Sequence, residues 1–210
     1  MLKLKKQGEE MEYKNLQFNM PILKNPKLDW FLTKAENINR PCKITELELG
    51  WKAFSWSDSY VAEKIGYPDY DKFLQTYPKT LGRYSAGKYL SDIPLWNCEL
   101  NKDYNVPDLF KDAECQPDQW RWLFWGPPEV GTNIHQDVDH SCAWNIVLKG
   151  YKYWWFWYED ELLTALQGPG DIIFAPKDVW HGVTNLTTSM SITHNYKRKG
   201  KKSWWGTWFY

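Results

Sequence analysis

The sequence has no excess of either charge: its 210 residues include 26 Lys and Arg against 26 Asp and Glu. That balance gives no general electrostatic reason for the chain to hold nucleic acid or an anionic membrane. No stretch approaches the about 18 consecutive apolar residues that a membrane-crossing helix requires, so no membrane partner is expected. The opening, Met1-Leu2-Lys3-Leu4-Lys5-Lys6-Gln7-Gly8-Glu9-Glu10, lacks the apolar centre of a secretory signal. The expected setting is therefore soluble, intracellular and cytoplasmic. Cysteine is scarce and scattered: Cys42, Cys98, Cys115 and Cys142 include no C-x-x-C pair. This argues against a disulfide scaffold and a structural zinc site, and leaves reduced thiols as the expectation. No internal repeat is found.

What the chain has in abundance is tryptophan, fifteen in all. Large rings with one polar handle suit strands and lined cavities, although packing alone would also use them. The length allows one domain with a substantial core and is short for two. Residues 1–20 are polar with little periodicity and are expected as a flexible, loosely docked segment. Residues 21–210 are expected as one domain, with its chemistry in 120–196.

Short helices are expected at Asp29–Asn37, at Ser57–Ile65 with its cap-like Ser-Asp-Ser, and at Tyr84–Ile93. Arg40–Leu47 reads as a strand opened by proline. From Trp120 the pattern becomes short strands divided by turns: Trp120–Trp125, Asn133–Asp137, Cys142–Leu148, Tyr151–Tyr158, Asp171–Ala175, His181–Leu186 and Ser189–Tyr196. The breaks at Gly126-Pro127-Pro128, Lys149-Gly150, Gly168-Pro169-Gly170 and Pro176 carry turn chemistry. Closely spaced short strands point to a mainly β sandwich or barrel, jelly rolls among them.

Within this region stands His135-Gln136-Asp137, with His181 at the head of a later strand. Residues two apart on a strand share a face, so His135 and Asp137 are expected to reach one ion together, and His181 to complete the set. Two histidines and a carboxylate on one side of a metal leave its other positions open, the arrangement of non-haem Fe(II) oxygenases. A lone H-x-D arises often by chance, so the neighbourhood matters. It reads Gly131-Thr132-Asn133-Ile134, Ala143-Trp144-Asn145, Gly150-Tyr151-Lys152-Tyr153-Trp154, Gly170-Asp171-Ile172-Ile173-Phe174-Ala175-Pro176, Trp180-His181, Asn185-Leu186 and Thr193-His194-Asn195-Tyr196.

Taken together these resemble the Jumonji-C (JmjC) family of 2-oxoglutarate oxygenases, most of all its small hydroxylase branch. The resemblance covers roughly Trp120–Tyr196, with a weaker echo at Arg40–Thr45, Trp51 and Trp56-Ser57. It implies a double-stranded β-helix, the jelly roll of cupins, with a few N-terminal helices packed outside. It implies Fe(II) held by His135, Asp137 and His181, with 2-oxoglutarate and O2 as cosubstrates. Lys152 would pair with the far carboxylate of 2-oxoglutarate, Thr132 would donate to it, and Asn145 and Thr193 would line the same pocket. A buried dianion needs such partners. Alternation adds that Lys152, Trp154 and Phe156 share a face, as do Ser191, Thr193 and Asn195. His194 then points away, to the outer surface or to packing, without a ligand role. Trp125, Glu129, Asp139 and His140 are placed at the rim by position alone.

The implied reaction is hydroxylation of a carbon of a peptide or protein side chain, with succinate and CO2 released. Demethylation would follow from presenting an N-methyl carbon instead. RNA or a small molecule is the alternative substrate, since the run Lys197–Lys202 offers positive charge to phosphate, though a solvated tail explains that run as well. A catalytically silent metal-binding cupin is the alternative from another class. The segment Tyr158–Gly170 is short for the family, and no helical extension follows Tyr196; both departures bear on substrate and oligomeric state.

Overall fold

Alternation of side chains sorts the strands into layers. The computed structural model describes residues 2–6, 9–13, 16–66, 85–86, 90–96, 98–114 and 120–198. In chain order its strands are β1 (Leu2–Lys6), β2 (Glu9–Tyr13), β3 (Ile22–Lys24), β4 (Cys42–Thr45), β5 (Ser85–Ala86), β6 (Leu90–Pro94), β7 (Ala113–Glu114) and β8 (Arg121–Gly126). They continue as β9 (Gly131–His135), β10 (Cys142–Lys149), β11 (Lys152–Tyr158), β12 (Glu161–Gln167), β13 (Ile172–Ala175), β14 (Trp180–Asn185) and β15 (Ser189–Arg198). The helices are α1 (Leu28–Lys34) and α2 (Asp58–Lys64), with short 3-10 turns between.

One sheet runs β3-β4-β13-β10-β15-β8-β6, with β7 attached to β15; the facing sheet runs β12-β11-β14-β9-β5. From β8 to β15 the chain passes back and forth between these two sheets, the winding of a double-stranded β-helix. Every pairing among these eight strands is antiparallel. The mainly β jelly roll expected from the turn spacing is therefore the fold.

The larger sheet presents two chemically different faces. Trp144, Ile146, Ile172, Phe174, Ile192 and Tyr196 pack outward, under the N-terminal segment, in a core that includes Phe31, Trp51, Val61 and Phe110. Phe31 of α1 meets the rings of Phe110 and Phe174 edge-on at 5.4 and 5.1 Å, which pins the helix to the sheet. The opposite face carries Ala143, Ile173 and Ala175, and these meet Trp154, Phe156, Leu163, Ala165 and Val183 of the smaller sheet. Small side chains here leave room between the sheets, and that room is where the polar inner residues lie.

Local chemistry sets the element ends. Ser57 caps α2 by accepting from the backbone N–H of Tyr60 at 3.1 Å, as its sequence predicts. Where a helix is expected over Tyr84–Ile93, the described residues, 85–86 and 90–93, are in strands β5 and β6, with Leu90 paired to Trp125 and Ile93 to Leu123; the rest of that range lies outside the described residues. Pairing to an available sheet edge outweighs a weak helical period. β12 is a strand the sequence reading omits. Glu161-Leu162-Leu163-Thr164-Ala165-Leu166-Gln167 has helix-forming composition, yet it pairs with β11 along its full length and buries Leu163, Ala165 and Gln167 on alternate positions. Within the first twenty residues, expected as loosely held, β1 and β2 form a hairpin. The backbone N–H groups of Asn19 and Met20 bond the Thr164 carbonyl, and Met20 is buried.

Candidate metal centre

The register of β9 and β14 sets His135 directly opposite His181, with ring centroids 4.4 Å apart. Asp137 joins them from just beyond the end of the strand, which stops two residues earlier than expected. β9 ends at His135, and Asp137 is the extended residue that opens the 3-10 turn Val138–His140. The side-chain ligand atoms of His135, Asp137 and His181 all lie within 4.8 Å of one another. Nε2 of His135 is 3.8 Å from Oδ1 of Asp137, and Nε2 of His181 is 4.0 Å from its Oδ2.

Backbone carbonyls choose the histidine tautomers. Nδ1 of His135 lies 2.7 Å from the Asn133 carbonyl oxygen and Nδ1 of His181 lies 2.8 Å from that of Val179. A carbonyl only accepts, so each Nδ1 carries the proton and each Nε2 turns a lone pair toward Asp137. Burial pushes the pKa of His181 down to about 4, against the pull of its carbonyl bond, so the ring is neutral near pH 7. Burial also pushes the Asp137 carboxyl up to about 6, opposed by its electrostatic interaction with His135 and a hydrogen bond from Asn195. Its Oδ2 is buried with no hydrogen-bond partner among the described residues. An orphaned carboxylate oxygen facing two imidazole lone pairs fits a cation between them, because a buried charge is otherwise costly.

Aromatic rings hold the site in place. Phe156 stacks on His181 at 5.1 Å, and Trp154 stacks on Phe156 at 5.9 Å. Lys152 shares their strand face, as alternation predicts, and is about 1% exposed. Its Nζ donates to Oδ1 of Asn185 at 2.8 Å, and burial pushes its pKa down to about 7. On the facing sheet, Asn145 is paired with Thr193 across β10 and β15 and donates from Nδ2 to Thr193 Oγ1 at 2.7 Å and Ser191 Oγ at 3.2 Å. The Asn145 Oδ1 atom is buried without a partner among the described residues. Thr132, on β9 opposite Val183, is partly buried.

The remaining sequence expectations divide. His194 packs: it is fully buried, accepts from Arg121 Nε at 2.8 Å and meets Trp144 edge-on. Burial, helped by the Arg121 charge, pushes its pKa down to about 3. His140 and Asp139 lie in the exposed turn after Asp137, with Asp178 2.6 Å from His140 and Lys197 2.7 Å from Asp139. Trp125 is not at a rim; it is 1% exposed in the outer core. Glu129 sits before the start of β9, at the opposite end of that strand from His135. Cys42 and Cys98 are free thiols. The last part of the basic run and the aromatic end, residues 199–210, lie outside the described residues. No helix among the described residues is long and apolar enough to cross a membrane.

Two residues that the sequence reading left without a role stand out. Gln167 is fully buried; its Oε1 accepts from Trp154 Nε1 at 2.6 Å and its Nε2 donates to the carbonyls of Asn145 and Asp171. Asn185 holds Lys152. Asn185 stands in the sequence motif without a role and Gln167 stands outside it; both act through partners distant in sequence.

A double-stranded β-helix with two histidines and a carboxylate at one end, set before a buried lysine, defines the class of mononuclear non-haem metal oxygenase sites. Comparison with known proteins agrees. No family model matches the chain. It is 25% identical to an arginine-specific demethylase, JMJ22, of Arabidopsis thaliana, over 85% of this chain and 46% of that protein. It is 29% identical to the bifunctional arginine demethylase and lysyl-hydroxylase psr-1 of Caenorhabditis briggsae, over 85% of this chain and 64% of that protein. It is 24% identical to the 2-oxoglutarate and iron-dependent oxygenase JMJD4 of Mus musculus, over 64% of this chain and 42% of that protein. The chain thus spans about half the length of these curated relatives. Among solved structures, YcfD, a ribosomal oxygenase from Escherichia coli, superposes with a TM-score of 0.54 at 17% identity, over 85% of this chain and 53% of that one. The chain is thus similar to JmjC-domain demethylases, hydroxylases and oxygenases over most of its length, and it shares its fold with a ribosomal oxygenase.

Proposed function

We propose that this chain is an Fe(II)- and 2-oxoglutarate-dependent dioxygenase that hydroxylates a carbon of a peptide or protein side chain, releasing succinate and CO2. The observation that carries the reading is the orphaned, buried Oδ2 of Asp137, faced by His181 Nε2 at 4.0 Å and set beside His135. His135, Asp137 and His181 hold the iron. Bound iron supplies open coordination positions for the keto acid and dioxygen, and the oxidising power for the hydroxylation.

The chain's own residues do the rest. Asn133 and Val179 fix the two imidazoles through their carbonyls. Lys152, on the strand face of Trp154 and Phe156 and bonded to Asn185, receives the far carboxylate of 2-oxoglutarate, and Thr132 donates a second hydrogen bond to it. Asn145, anchored by Thr193 and Ser191, offers its carbonyl oxygen to the inner space. The apolar walls keep water from the reacting carbon. A protein substrate is supported by the names of two similar proteins, a lysyl-hydroxylase and a ribosomal oxygenase.

The test is an anaerobic titration of the metal-free protein with Fe(II) and 2-oxoglutarate, watching for the visible iron-to-keto-acid charge-transfer band. A saturable band that weakens in Lys152→Ala and His181→Ala is the expected result. Its absence from folded protein overturns the reading. A band in place, incubation with peptide libraries in air should add one oxygen, seen by mass, with stoichiometric succinate.

A further inference from the structure

Among the described residues, the buried Lys152 ammonium donates to a side-chain amide, that of Asn185. Asn185 ends β14 directly opposite Lys152 at the start of β11, and it is 1% exposed. Its Oδ1 accepts from Lys152 Nζ at 2.8 Å. Its Nδ2 donates to the carbonyls of Gly126 at 3.2 Å and Pro127 at 3.1 Å. Its backbone is tied as well: its N–H donates to Val130 O, and its carbonyl accepts from Glu129 N–H, both at 2.8 Å. The two carbonyls around Nδ2 settle which way the amide points, since only the NH2 end can face them.

We infer that Asn185 is the positioning residue that makes this site select a dicarboxylic keto acid over a monocarboxylic one. This rests on the oxygenase reading, in which Lys152 meets the far carboxylate. The Asn185 amide is a neutral acceptor, so it aims the ammonium without itself cancelling the charge that an incoming carboxylate meets. An aspartate at this position would do the opposite on both sides. It would neutralise Lys152 from within, and it would set a second carboxylate oxygen against the Gly126 and Pro127 carbonyls. The same amide joins the lysine to the loop that enters β9, the strand bearing Thr132 and His135. One side chain thus registers the anion end of the pocket against the metal end.

The experiment compares anaerobic binding of 2-oxoglutarate and 2-oxovalerate, which lacks the far carboxylate, to the Fe(II)-loaded protein. Wild type should prefer 2-oxoglutarate by well over tenfold. Lys152→Met should erase the preference. Asn185→Ala and Asn185→Asp should each cut 2-oxoglutarate affinity at least tenfold while 2-oxovalerate affinity stays within about twofold. In the double variant with Lys152→Met, the Asn185 change should add little, because both act on one contact. Undiminished preference in folded Asn185 variants overturns the inference and spares the oxygenase reading. Equal losses for both keto acids, or failure of both Asn185 variants to fold while Lys152→Met folds, makes Asn185 a structural strut and also overturns it. No keto-acid binding by wild type removes the oxygenase reading and this inference with it.

Discussion

Nε2 of His181 stands 4.0 Å from Oδ2 of Asp137, and that oxygen has no hydrogen-bond partner among the described residues. The carboxylate is therefore a cost to the metal-free fold and an asset to the loaded one. Removing it should separate the two. Asp137→Ala should keep or slightly raise the melting temperature of metal-free protein. The rise that Mn(II) or Fe(II) gives wild type, about 2.7 kcal/mol when metal is at a hundredfold its Kd, should vanish. Calorimetry with and without metal reads both. A variant that melts well below metal-free wild type would mean the carboxylate is structural.

Lys152 gives the fold a pH dependence whose sign follows from its depressed pKa. Burial lowers it from 10.5 to about 7. Between those values the unfolded chain binds the proton and the folded chain does not, so stability rises as pH increases from about 7 toward 10.5. Below about 7 the full penalty of a buried ammonium is present. Lys152→Met should therefore be more stable than wild type at pH 6.5, with the gap closing by pH 10. Denaturant midpoints across that range check it, and parallel curves for the two proteins would refute it.

The buried Glu36 carboxylate fastens the end of β15 to the N-terminal layer. It accepts from Arg198 Nε at 2.6 Å, Arg198 Nη2 at 2.8 Å and Tyr196 OH at 2.9 Å. The pair is largely dry, with side-chain exposures of 12% and 3%. Glu36→Gln leaves the guanidinium buried beside a neutral amide, which should cost roughly 3–5 kcal/mol. In a chain of this size that lowers the melting temperature by on the order of 10 °C. Metal affinity should hold within about twofold, since none of these three residues touches the triad.

Alternation explains why so much of the site could be read in advance. Lys152, Trp154 and Phe156, and likewise Ser191, Thr193 and Asn195, fall on the inner faces that their period of two assigns, and His194 falls on the outer one. Where backbone geometry leaves that period, the sequence is mute. Asp137 reaches the triad from beyond the end of β9, just before a 3-10 turn, and nothing in His-Gln-Asp announces the end of the strand. β12 is hidden because helix-favouring Glu, Leu and Ala become a strand when β11 offers a full ladder, a tertiary effect that overrides propensity. Asn185 and Gln167 are illegible for a third reason: an amide acquires its role from the groups it bridges, here Lys152 to the Gly126–Pro127 carbonyls and Trp154 to the Asn145 backbone.

Gly131 links stability and the metal centre through the spacing of two strands. A Cβ built there would lie 1.9 Å from the Val183 carbonyl oxygen and 2.8 Å from Thr184 Cα. Both are backbone atoms, so no side-chain rotation relieves the clash, and β9 must move off β14. Those same strands carry His135 and His181 in facing positions. Gly131→Ala should cost about 1–3 kcal/mol, the usual penalty of overpacking, or somewhat more. It should also weaken Mn(II) binding at least tenfold by parting the two imidazoles. Glu36→Gln is the control, because it loses as much stability without touching either strand. If both variants are destabilised and only Gly131→Ala loses metal, the close approach of β9 and β14 is what sets the triad. If Gly131→Ala binds metal as wild type does, strand spacing does not control the site, and the turn at Asp137 must absorb the shift.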